Sequence, residues 1–194
     1  MKRDELEHAI HAACQIVRQE AVIVIGSQAI LGSFHEDELP EATVLSVEVD
    51  VRPLEDDDAE SLATALDGAA GEWSAFHERF GYYIQGVGRR TAVLPHGWHE
   101  RLVEVRTQRV VGGEAVGLCL EPHDLCAAKL VANREKDHLF VRALIDADLV
   151  DATVLRERLL SIDKEPERVD AALRWLSGHT TTAPGLAAPR PQQP

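Results

Sequence analysis

The chain has no apolar run that approaches the length of a membrane span, and no apolar stretch follows its charged start, Met1-Lys2-Arg3-Asp4-Glu5. A spanning helix needs about 20 mostly apolar residues, and a secretory leader needs an apolar segment behind its positive end. The expectation is a soluble protein, free of a leader and working in the cytoplasm. Cysteine is scarce too. The three present, Cys14, Cys119 and Cys126, are odd in number and lie among apolar neighbours. They form neither a CxxC nor a clustered His/Cys spacing, which argues for reduced, buried thiols and against a disulfide framework or a zinc site. Positive charge is the third shortage: 20 Lys and Arg stand against 33 Asp and Glu, a net charge of −13. That excludes a protein that coats nucleic acid over its whole surface. No internal repeat is visible.

What is there describes an ordinary globular chain. Its 194 residues, 45% of them apolar, suffice for one good core with a small helical appendage. Charge is unevenly spread. Eleven acids fall between Glu36 and Glu60 against one base, Arg52, while Gly86 to Gly113 carries Arg89, Arg90, Arg101, Arg106 and Arg109 against Glu100 and Glu104. With a Debye length of about 8 Å the two patches act separately, so the arginines remain candidates for an RNA backbone, although surface charge is the commoner role. The run Glu55-Asp56-Asp57-Asp58 reads as solvated acids at a helix start.

Taken in order, Asp4 to Glu20 repeats Leu6, Ile10, Ala13 and Val17 at helical spacing. Ala21 to Ile25 is a strand apolar on both faces, as a central strand requires. A short helix, Gln28 to Ser33, a loop, His35 to Glu41, and a strand, Leu45 to Val51, follow. Asp56 to Ala69 is helical. Trp73, Phe76 and Phe80 stand at helical spacing and read as one core stripe. Tyr82 to Val87, Thr91 to Leu94, Leu102 to Arg106 and, after a Gly112-Gly113 turn, Val111 to Leu120 read as strands. Trp98, between His96 and His99, anchors a loop. From Pro122 the pattern turns to helices, Pro122 to Asn133, Glu135 to Asp148, Ala152 to Leu160 and Glu165 to Ser177, before a Thr/Ala/Pro-rich tail. The expected class is α+β, a small mixed sheet with flanking helices. The expected organisation is an α/β core at 1–121, a helical part completing the site at 122–178, and a disordered tail at 179–194.

Chemistry gathers at three places. Gly26-Ser27 is a tight turn out of a buried strand, presenting backbone N–H groups and a hydroxyl to anionic oxygens. In Ser46-Val-Glu-Val-Asp-Val-Arg, Glu48 and Asp50 alternate with valines, so both carboxylates share one face of a strand and suit a divalent cation. In Asp124-Leu-Cys-Ala-Ala-Lys-Leu-Val-Ala-Asn-Arg-Glu-Lys-Asp137, one continuous helix would set Lys129, Asn133 and Asp137 on a single arc. Alternatively Asn133 ends a first helix in the left-handed conformation and Arg134 starts a second. Both versions gather Lys129, Arg134 and Asp137, either as a site or as an internal ion-pair network.

These motifs, in this order, resemble those of minimal nucleotidyltransferases, and most closely an uncharacterised bacterial family related to the abortive-infection type toxins of toxin-antitoxin pairs. The resemblance runs from about Val22 to Leu149. It implies that Gly26 and Ser27 hold a nucleoside triphosphate with Lys129 and Arg134, and that Glu48 and Asp50 hold Mg²⁺. It further implies that Asp50, Lys129 and Asp137 are catalytic, with Asp137 the expected acceptor of the hydroxyl proton and Glu104 an alternative third acid. The superfamily's usual first acid is aspartate; Glu48 adds one C–C bond, about 1.5 Å of reach. The implied reaction is Mg²⁺-dependent transfer of a nucleotide to an RNA, such as tRNA, or to a protein hydroxyl, by a toxin held by a cognate antitoxin. The second reading is a nucleotidyltransferase-fold module without turnover that senses nucleotide or binds a partner.

Overall fold

Leu6, Ala9, Ile10, Ala13, Cys14 and Val17 recur every three or four residues along helix α1 (Arg3–Val17), and all of them are buried. That stripe lies on a five-stranded sheet. The computed structural model describes residues 1–54, 59–88, 91–108 and 114–180. Its strands are β1 (Ala21–Val24), β2 (Glu48–Pro53), β3 (Tyr83–Gly86), β4 (Val103–Gln108) and β5 (Glu114–Cys119), in the spatial order β3-β2-β1-β5-β4. β1 runs parallel to β5 and antiparallel to β2, β3 is parallel to β2, and β4 is antiparallel to β5. The sheet is therefore mixed, and the class is α+β as the sequence indicates. β1 is central, and its Val22, Ile23 and Val24 are buried, which explains its unbroken apolar run. α1 packs so closely that a Cβ on Gly117 of β5 would stand 2.3 Å from Ile10 Cδ1; no other residue fits there without a shift.

In chain order α2 (Glu41–Val44) precedes β2, α3 (Ala59–Ala70) and α4 (Ala75–Phe80) stand between β2 and β3, and α5 (Pro122–Ala132), α6 (Glu135–Asp146), α7 (Ala152–Leu160) and α8 (Pro166–Thr180) form the helical part that follows the sheet. A buried ion cluster joins the two. Asp124 of α5, with no exposed side-chain area, accepts from Arg101 Nε at 2.9 Å and Arg101 Nη2 at 3.0 Å, and pairs with Arg158 of α7 at 3.2 Å. Trp98 is part-buried against the core, with the Arg52 guanidinium 5.9 Å from its ring centre, so it anchors its loop as expected. All three cysteines are buried thiols.

Two expectations are corrected. Thr91 to Leu94 is not a strand; Ala92, Val93 and Leu94 pack against the core from outside the sheet, so the apolar content was legible and the absence of a pairing edge was not. The aromatic stripe is broken: α4 starts at Ala75, capped by Ser74, whose hydroxyl accepts from the His77 N–H at 3.2 Å. Trp73 therefore precedes the helix, in the left-handed region at φ 65, and is 82% exposed. Phe76 packs on the core and Phe80 is more than a third exposed, both beside His8 and Tyr82. The arginine-rich patch is engaged in part: Arg101 serves Asp124, and Arg106 pairs with Glu104 at 2.6 Å and Glu114 at 3.2 Å. Arg89, Arg90, Arg109, the Glu55–Asp58 run, the Gly112-Gly113 turn and the tail from residue 181 lie outside the described residues.

Candidate active site

β1 ends at Val24 in the middle of the sheet, and the chain turns at Gly26 into a 3₁₀ turn, Ser27–Gly32. Beside it, β2 has the burial alternation that its sequence dictates: Val49 and Val51 are buried, whereas Glu48 and Asp50 point the other way, half-buried. The Ile25 N–H donates to the Asp50 carbonyl at 3.1 Å, which fixes the turn against the acid strand. The approach is close enough that a Cβ on Gly26 would stand 1.7 Å from Asp50 Oδ2. Glycine here is a condition for the carboxylate's position.

The second wall comes from α5 and α6. Glu121 caps α5, accepting from the N–H groups of His123 at 3.0 Å and Asp124 at 3.2 Å. Asn133, at φ 57, closes the helix by donating its N–H to the Lys129 carbonyl at 3.1 Å; Arg134 is extended and α6 begins after it. The two-helix version is thus the one adopted, and the continuous helix is not. Lys129, only 8% exposed, reaches across from the helical part to the sheet. Its Nζ donates to Ser27 Oγ at 2.9 Å and to Asp137 Oδ1 at 3.1 Å, and lies 4.4 Å from the centre of the Phe140 ring. Asp137 is fully buried, and its other oxygen accepts from Arg134 Nε at 2.6 Å. Arg134 itself is 59% exposed.

Gly26, Ser27, Glu48, Asp50, Lys129, Arg134 and Asp137 all line one cleft of about 730 Å³, within the roughly 300–1,000 Å³ of small-molecule sites. The charges on its two walls are opposed. Burial, and next the charge of Glu48, raise the Asp50 pKa to about 6 against the pull of Lys129 and Arg134. Burial also works against the Asp137 charge, but the Arg134 hydrogen bond and the Lys129 ammonium outweigh it and hold this carboxyl below the usual range. An ionised carboxylate with both oxygens engaged is a poor proton acceptor and a good clamp for two cations.

The residues fit a divalent cation. Two hard oxygen donors face one cleft, one of them seated against a glycine that admits no side chain, and their mutual repulsion is what a cation relieves. Glu104 is not beside them. It lies on β4, separated from β2 by β1 and β5, and is engaged by Arg106. A separate group, His35, Glu36 and Asp37, brings three donor atoms within 4.8 Å of one another away from the cleft; Glu36 already accepts from the Arg3 N–H at 3.0 Å.

Several residues of this region carry no local signal of a role. Lys136 and Arg168 also line the cleft. Lys136 stood unassigned inside the Lys129–Asp137 run, and nothing local to Arg168 relates it to a turn more than a hundred residues earlier. Thr91 to Val93 line the cleft from outside the sheet.

The profile of a family described as nucleotidyltransferase of unknown function (DUF6036) matches residues 4–176, which includes both walls of the cleft. Neither a curated protein nor a solved structure matches the chain.

Proposed function

We propose a function from one premise: the chain belongs to the DUF6036 family of nucleotidyltransferases. On that premise the cleft binds a nucleoside triphosphate and transfers its nucleotide to a hydroxyl acceptor. The observation that carries the reading is the opposition of the two walls, with an acid pair on β2 facing a lysine that is already bonded to the turn serine. Glu48 and Asp50 would hold Mg²⁺, which would supply charge neutralisation at the phosphates. Gly26, Ser27, Lys129 and Arg134 would bind the triphosphate oxygens. In the reaction the acceptor hydroxyl oxygen bonds to the α-phosphorus and releases its proton to solvent as the α–β anhydride breaks and pyrophosphate leaves. Such transfer depends mostly on positioning and charge stabilisation, and Asp137 contributes by holding Lys129 and Arg134 in place. Catalytic weight therefore falls on Asp50, Lys129 and Asp137, with Asp137 acting through the two cations.

The acceptor proposed is an RNA end, tRNA included, or a protein hydroxyl. The sequence resemblance supports extending the role to a toxin restrained by an antitoxin. The deciding experiment supplies each of four α-labelled NTPs with Mg²⁺, bulk tRNA and the protein itself as acceptors, beside Asp50→Ala. Label with wild type and none with the variant is the expected result. Nucleotide and Mg²⁺ binding without label would instead favour the sensing module.

A further inference from the structure

β1 covers β2 only as far as Asp50, through Ile25; beyond it the chain turns away at Gly26, and Ser46 to Glu48 have no β1 partner. The first metal-facing acid, Glu48, therefore stands on the stretch of strand that the ladder leaves uncovered on that side. Gln28 takes the ladder's place. From the 3₁₀ turn, fully buried, its Nε2 donates to the Ser46 carbonyl at 2.9 Å. The Ser46 hydroxyl in turn accepts from the Glu48 N–H at 3.2 Å and lies 3.5 Å from the Glu48 carbonyl. The cost of this arrangement is visible: Gln28 Oε1 is buried and has no hydrogen-bond partner. An apolar side chain of the same length would fill the space and merely exchange the orphaned Gln28 Oε1 for a Ser46 carbonyl without this donor, so packing alone does not select glutamine here.

We infer that Gln28 is a positioning residue for the acid pair. Its amide fixes the strand entry from which Glu48 extends, tying the triphosphate turn and the metal strand into one rigid unit. Glutamate's longer arm makes this necessary, because Mg²⁺ accepts little error in ligand placement and a flexible origin adds to a flexible side chain. The inference rests on the metal-site reading above.

The test uses the full chain with Mn²⁺ as the probe ion, its binding followed by electron paramagnetic resonance and its stability by thermal melting without metal. Gln28→Met removes the amide at nearly constant volume, and Gln28→Asn keeps an amide too short to reach Ser46. Both are expected to bind Mn²⁺ on the order of tenfold more weakly, the usual effect of losing a group that orients a ligand, while metal-free Gln28→Met melts no lower than wild type. Unchanged Mn²⁺ affinity in either folded variant overturns the inference, as does a drop in melting temperature with affinity preserved, which is the signature of a packing role. If Gln28→Met does not fold, Gln28→Asn decides. Asp50→Asn separates the premise from the inference. Wild-type binding abolished in Asp50→Asn establishes the metal site whatever Gln28 does, and no wild-type binding removes both.

Discussion

Asp50 is held where its charge is unwelcome. Its pKa, raised by burial and by Glu48 to about 6, means that between the ordinary carboxylate value and about 6 the folded protein binds more protons than the unfolded chain. Stability without metal therefore falls as pH rises through that window, and the loss is complete above it. Asp50→Asn removes the penalty. The variant is expected to be more stable than wild type at pH 8 by up to about 3 kcal/mol, with the difference vanishing below pH of about 4. Urea unfolding at the two pH values checks it; equal stability at pH 8 would mean that the pair is not strained. Added Mg²⁺ should stabilise wild type alone. That the two acids share a face was legible from the Val-Glu-Val-Asp alternation. That one of them is seated against Gly26 was not, because the two positions are far apart in sequence and meet only when β1 and β2 pair.

At the scale of elements, the α5–α6 break builds the cationic wall. Asn133 adopts φ 57, which asparagine tolerates better than most residues and glycine tolerates without strain. Asn133→Ala is expected to cost about 1 kcal/mol in thermal or urea unfolding, and Asn133→Gly to be near neutral. If alanine were neutral, the chain would be able to run through as a single helix, and the contacts of Lys129 with Ser27 and Asp137 would depend on something other than the break. The sequence offered both versions because Lys129, Arg134 and Asp137 meet in each. The decision lay with packing: the break lets α6 turn so that Phe140 and Leu144 are buried while Arg134 remains mostly exposed. The Trp73-Phe76-Phe80 stripe is broken for a related reason, since its spacing runs across the helix start that Ser74 defines.

For the whole molecule, the cleft has one wall on the sheet and the other on the helical part, so its geometry depends on how they are joined. The Asp124 cluster with Arg101 and Arg158 is a buried joint between them. Asp124→Ala leaves two guanidinium groups facing a vacated anion site and is expected to cost about 3–5 kcal/mol, read from the urea midpoint, and to lower affinity for Mg²⁺–NTP at temperatures where the variant is still folded. A shift of less than about 1 kcal/mol, the size of an exposed pair, would show that the cluster does not join the two. In the sequence Asp124 is legible only as part of a helix start and Arg101 only as a candidate for RNA, because Arg101, Asp124 and Arg158 lie far apart along the chain.

The sequence by itself determined the periodic and the local: the central strand starting at Ala21, the alternating acids of β2, and the helical character from Pro122 onward. Those follow from side-chain period and turn chemistry, which act within a few residues. Tertiary structure alone decided which side chains meet: Gly26 with Asp50, Gln28 with Ser46, Lys129 with Ser27, and Arg101 with Asp124. Each of these contacts joins residues distant in sequence, and each fixes a charge or a buried polar group whose cost only the folded surroundings can offset.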